Sequence, residues 1–132
     1  MSDNKTAETK KDVLRRLFIA NNLVKEDVFK HAHYTIITRA GVDKIMSAQN
    51  IEIQYELINL SDDHSHCLIK AKGKMGDKII QTFGEATPKN NKNAYPVAMA
   101  EKRAMSRIVL KLAGFYENGF FGEDESDDFV KR

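Results

Sequence analysis

Ile51-Glu52-Ile53-Gln54-Tyr55-Glu56-Leu57, near the middle of the chain, alternates apolar and polar residues without a break. Successive side chains of a strand point to opposite faces, so this alternation describes a half-buried β-strand with Ile51, Ile53, Tyr55 and Leu57 on one face. A turn follows at Ser61-Asp62-Asp63-His64. From His66 to Lys74, Cys67, Ile69 and Ala71 share one face, and Leu68, Lys70, Lys72 and Lys74 share the other. The Gly73–Asp77 stretch, with Met75-Gly76-Asp77 at its centre, makes a second turn. Lys78 to Glu85 then forms a third strand, which ends at Gly84. Both connections are too short for crossovers, so the three strands form an antiparallel meander.

Downstream, the loop Thr87-Pro88-Lys89-Asn90-Asn91-Lys92-Asn93 leads to Tyr95-Pro96 and a long helix from Val97 to Leu112. Proline is favoured in a first helical turn, where its missing N–H is no loss, and Gly114 supplies the stop. Upstream, Val13, Leu14, Leu17 and Phe18 recur at helical spacing between Lys10 and Leu23. A short helical turn is expected over Lys25–Lys30, a short strand over Tyr34–Thr38, and a helix carrying Val42, Ile45 and Met46 that ends near Asn50. The predicted class is α+β: a three-stranded antiparallel meander, plus one short extra strand, packed against a long C-terminal helix in the order α-β-α-β-β-β-α. Residues 1–9 read as a frayed N-terminus, 10–116 as one domain and 117–132 as an acidic, flexible tail.

The chain has 132 residues, which suits one domain, and its 42% hydrophobic content is enough for a core. No charged-then-apolar leader opens it, and no apolar run approaches the roughly 18 residues that a membrane span needs. A single cysteine, Cys67, forms neither an internal disulfide nor a zinc-type pair, so a reducing, cytoplasmic setting is expected. Net charge is +2 but unevenly placed. Residues 1–116 hold 19 Lys and Arg against 13 Asp and Glu, whereas residues 117–132 hold 2 against 6. A basic body with an acidic tail is a pattern of proteins that hold a polyanion; a tail that only keeps the chain soluble gives the same pattern.

The candidate site follows from the long helix. At about 100° per residue, Val97, Ala100, Ala104, Met105, Ile108 and Leu112 fall on one broad side. Lys102, Arg103, Ser106, Arg107 and Lys111 fall on the opposite arc, interrupted by Met99 and Leu110. The alanines would let the helix sit close to the sheet, while Glu101 projects within the apolar side without explanation. Lys89 and Lys92 adjoin the helix N-terminus, whose free N–H groups favour a phosphate. Tyr95 stands where it could stack on a base. Lys70, Lys72 and Lys74 add charge on one strand face, but Glu52 and Glu56 across the hairpin are placed to neutralise them. On this reading the loop and helix outweigh the strand.

These features resemble a known family. The meander, the exit Gly84-Glu85-Ala86, the Asn/Lys loop, Glu101-Lys102-Arg103-Ala104 and the ending Leu110-Lys111-Leu112-Ala113-Gly114 are similar to the single-strand annealing proteins of homologous recombination. That superfamily includes the Erf-type phage recombinases and the eukaryotic annealing mediators. The resemblance covers residues 50–115, roughly half the chain. Asn90 through Phe129 also resembles prophage-encoded proteins without an assigned role. The resemblance implies a single-stranded DNA-binding, strand-annealing factor that forms homo-oligomers, in a bacterial host or phage-infected cell. Cationic residues of the hairpin and long helix would line a groove for the DNA backbone. Lys102 and Arg103 carry over directly, Arg107 stands one position from an expected basic residue, and Lys70, Lys72 and Lys74 correspond by location. No cofactor is implied.

Other groupings carry less chemistry. His31 and His33, or His64, His66 and Cys67, are metal-ligating types, but the first pair has nothing to bring it near the second group. Catalysis has no motif here, and the expectation is a non-enzyme. The tail's Asp127-Asp128-Phe129 is similar to the acidic, apolar-tipped ends by which single-stranded DNA-binding proteins dock on replication or recombination partners. A solubilising tail accounts for it equally. Two other functions stay open: a double-stranded RNA-binding domain, which shares the helix-flanked meander and basic loop, and a protein-interaction module.

Overall fold

The computed structural model describes residues 9–31, 33–91 and 94–125. The fold is α+β, with a long C-terminal helix packed against strands, as the hydrophobic periods predict. Its elements are α1 (Lys10–Ala20), β1 (Val28–His31), β2 (Tyr34–Ile37), α2 (Arg39–Ala48), β3 (Glu52–Leu60), β4 (Cys67–Met75), β5 (Lys78–Ala86), α3 (Pro96–Leu112) and β6 (Phe120–Gly122). Strands β3-β4-β5 form the expected meander; β1-β2-β6 form a second three-stranded sheet.

Local chemistry sets the helix ends. Thr9 caps α1 by accepting the Asp12 N–H at 3.1 Å, and the Asp12 carboxylate returns to the Thr9 N–H. Thr38, expected in a strand, caps α2 instead by accepting the Gly41 N–H at 3.1 Å. All three long helices end alike, on a left-handed residue followed by an apolar one: Asn22 (φ 60°), Asn50 (φ 53°) and Gly114 (φ 87°). The next residues, Leu23, Ile51 and Phe115, donate back to the carbonyls of Phe18, Met46 and Leu110 at 3.0, 3.0 and 2.9 Å. These are the long bonds of Schellman motifs, and Leu23, Ile51 and Phe115 are all buried.

Three expectations need correction. Lys25–Lys30 is helical only over Lys25–Asp27; from Val28 the chain is β1, paired antiparallel with β2. The fold also does not stop at residue 116. Phe120–Gly122 adds to β2 as a parallel strand, with Phe120 only 1% exposed. The acidic residues that follow are engaged by the fold as well. Glu123 Oε1 accepts the N–H of Arg39 at the start of α2, 2.8 Å away, where the helix dipole favours a carboxylate. Asp124 accepts the Ser106 hydroxyl at 2.9 Å.

This C-terminal segment makes α3 a central helix. Ala100, Ala104, Ile108 and Leu112 face β4 and β5. The approach is close: a Cβ on Gly84 would overlap the Ala100 carbonyl and the Ala104 backbone, and one on Gly73 would lie 2.5 Å from Ile108 Cγ1. On the other flank, Ser106 and Leu110 lie against Gly122, and both are fully buried.

Candidate nucleic-acid interface

The meander pairs Glu52 with Lys74, Gln54 with Lys72 and Glu56 with Lys70 on one side, and Lys70 with Phe83, Lys72 with Gln81 and Lys74 with Ile79 on the other. Directly opposed residues of an antiparallel pair share a face. Since Cys67, Ile69, Ala71 and Gly73 of β4 are buried beneath α3, the alternate lysines project from the opposite, uncovered face. The result is a row of three cations on the central strand, flanked by exposed Phe83 (45%) and Ile79 (53%). Lys70 meets Glu56 at 3.4 Å, the neutralising pair expected across the hairpin. Lys72 and Lys74 carry no ion pair among the described residues, although Glu52 stands in register with Lys74. A depression of 280 Å³ lined by Glu52, Gln54, Lys72, Lys74 and Ile79 opens between these side chains.

The helix arc is less available than its sequence implies. Arg103 is 3% exposed, and its guanidinium is spent inside the fold. Nη1 donates to the Glu85 carbonyl and to Asn90 Oδ1, both at 2.9 Å, Nη2 donates to the Asn90 carbonyl, and Nε donates to the Asp124 carbonyl at 3.2 Å. Arg103 therefore pins the end of β5, the following loop and the C-terminal segment to α3, and is corrected from ligand group to structural cation. Arg107 remains partly exposed, and its Nη1 donates to the Phe83 carbonyl at 2.6 Å. Lys102 is half-buried, and Lys111 lies 5.3 Å over the Tyr116 ring.

Around the N-terminus of α3, Lys89 is exposed in a turn closed by the Asn90 and Asn91 N–H groups on the Thr87 carbonyl. Tyr95 is 71% exposed, directly before Pro96. Lys92, Asp127, Asp128 and Phe129 lie outside the described residues. Glu101, unexplained by the helical plot, is exposed near Tyr55. Burial first, and then the Glu101 charge, push the Tyr55 hydroxyl above its ordinary pKa. Among the described residues no three His, Cys, Asp or Glu side chains converge as a metal set, and burial pushes the Cys67 thiol up.

Phe83 is the member of this face that the sequence conceals: spaced two residues from Gln81 and Glu85 it shares their face with the lysines, but a phenylalanine in a strand is expected in a core. No described helix is long and apolar enough to cross a membrane. The chain matches no protein-family model, no curated protein and no solved structure.

Proposed function

We propose that the protein binds single-stranded nucleic acid on the open face of β3-β4-β5, as a strand-annealing type of recombination factor. The observation that carries this reading is the lysine row of β4 with Phe83 and Ile79 in register beside it. Alternate lysines stand about 6.6 Å apart along a strand, close to the spacing of phosphates along an extended nucleic-acid strand. An exposed ring beside them offers a stacking surface that accepts any base, which favours binding without sequence preference. Arg107 reaches the β5 edge of this face at the Phe83 carbonyl, whereas Lys102, Lys89 and Tyr95 belong to α3 and its approach loop and form a separate cationic site in this reading. The resemblance to the annealing superfamily favours DNA as ligand, a cytoplasmic setting in a bacterial or phage-infected cell, and a role by binding, without catalysis. Asp127-Asp128-Phe129 is then a docking segment for a replication or recombination partner.

The test is a labelled single-stranded oligonucleotide, titrated across salt, with duplex RNA as competitor. Lys72→Ala with Lys74→Ala removes two phosphate contacts and should flatten the slope of log affinity against log salt by about 1.4, at roughly 0.7 per contact. Phe83→Ala should weaken binding by about 1–3 kcal/mol with the slope kept. Absence of binding at low salt, or indifference to all three substitutions, sinks the proposal. Stronger binding of duplex RNA selects the double-stranded RNA reading instead.

A further inference from the structure

The two edges of the meander are treated differently. On β5, Arg107 and Arg103 donate to the carbonyls of Phe83 and Glu85, alternate residues of the strand. The helix rise over four residues, about 6 Å, nearly matches the strand rise over two, so one face of α3 closes this edge. On β3 nothing comparable happens. Among the described residues no backbone hydrogen bond reaches its outward side, and seven of its nine residues are exposed. Three of the seven are large and apolar: Tyr55 (40%), Leu57 (54%) and Ile58 (43%). An unprotected edge carrying apolar side chains is a template for another strand.

We infer that β3 pairs antiparallel with β3 of a second copy, about a two-fold axis through Tyr55. A symmetric antiparallel pair must place one residue opposite itself, which leaves few registers within the regular part of the strand, before the irregularity between Leu57 and Asn59. Centring on Gln54 sets Glu52 against Glu56 twice, and centring on Glu56 sets that carboxylate against itself. Like charges directly opposed are unfavourable. Centring on Ile53 or on Tyr55 opposes no like charges, but Ile53 lies next to the strand's start and pairs only Glu52 to Gln54, whereas Tyr55 pairs five residues: Gln54 meets Glu56, Ile53 meets Leu57, and the two Tyr55 rings meet. The axis is perpendicular to the sheet, so both lysine rows emerge on the same face of a six-stranded sheet and both α3 helices on the other. This inference stands on the edge and its charges, independently of any nucleic-acid ligand.

Gln54 provides the test, because it faces Lys72 within the protomer and Glu56 of the second copy across the axis. Gln54→Glu gains an opposite charge inside the protomer and adds two repulsions between copies. Gln54→Lys does the reverse. Sedimentation equilibrium should find the wild type dimeric, with the dissociation constant raised roughly tenfold by Gln54→Glu and lowered by a similar factor by Gln54→Lys. Thermal stability of the dilute monomers should move the opposite way, which a merely damaged fold would not produce. Tyr55→Cys should link to itself with a short bis-maleimide, while Glu85→Cys, on the closed strand, should not. A wild type that stays monomeric at its highest soluble concentration overturns the inference. So does a dimer indifferent to both Gln54 variants, or one in which Tyr55→Cys fails to link.

Discussion

Arg103→Met separates the two roles that Arg103 has on sequence and in the fold. As a ligand group its loss would weaken nucleic-acid binding and leave stability alone. The structure assigns it four hydrogen bonds, to the carbonyls of Glu85, Asn90 and Asp124 and to the Asn90 side chain. At about 1 kcal/mol net per bond the loss is roughly 4 kcal/mol, since methionine retains most of the apolar stem but none of the donors. Against a typical total of about 5–15 kcal/mol this is a large fraction. For a domain of this size it corresponds to a fall of about 10–20 °C in Tm. Urea and thermal melts followed by circular dichroism measure it, with oligonucleotide affinity taken where both proteins are folded. Lys102→Ala is the reference: half-buried and with no hydrogen bond or ion pair among the described residues, it should change stability by no more than about 0.5 kcal/mol. The expected result is a much less stable Arg103→Met that, while folded, binds with nearly wild-type affinity. A variant that melts like the wild type but no longer binds would refute the structural assignment of Arg103.

Two further perturbations test the packing. Gly84→Ala forces a methyl into the α3 backbone at Ala100 and Ala104, where no flexible side chain can yield; it should cost about 1–3 kcal/mol or more, read as an earlier denaturation midpoint. Burial pushes the Asp27 carboxyl up, but the Lys44 ammonium at 2.8 Å and the Val24 N–H at 2.8 Å outweigh it and hold the pKa below its usual 3.8. A depressed carboxylate contributes stability that is present above its unfolded pKa and lost as pH falls through the folded value. Lys44→Met should therefore destabilise the protein at neutral pH and raise the midpoint of acid unfolding, followed by circular dichroism; an unchanged midpoint would show that the pair contributes nothing.

Much of the architecture was legible because its signals are local. The period-two alternation from Ile51 to Leu57 and from Cys67 to Lys74 needs no distant partner to be recognised, and β3 and β4 form where it predicts. Gly114 marks the end of α3 because a left-handed residue there suits glycine; Asn22 and Asn50 do the same work less visibly, since asparagine also serves in caps and turns. The pairing of Glu56 with Lys70 likewise follows from hairpin register.

What the sequence alone determined is thus the meander, the long helix and the set of lysines on one strand face. Tertiary structure alone decided which cations of the helix reach solvent. A three-residue strand such as Phe120–Gly122 has no period to detect, yet by adding to β2 it covers the arc of α3 that a helical plot leaves to water. Met99 and Leu110 interrupting that arc, with the small Ser106 between, were the only local hint of a second buried stripe. Burial converts Arg103 from a free charge into a paired one because a guanidinium removed from water must satisfy its donors within the protein. The same contact closes the β5 edge and leaves β3 open. Which edge of a sheet is covered depends on where a helix lands, and no residue of either strand carries that information by itself.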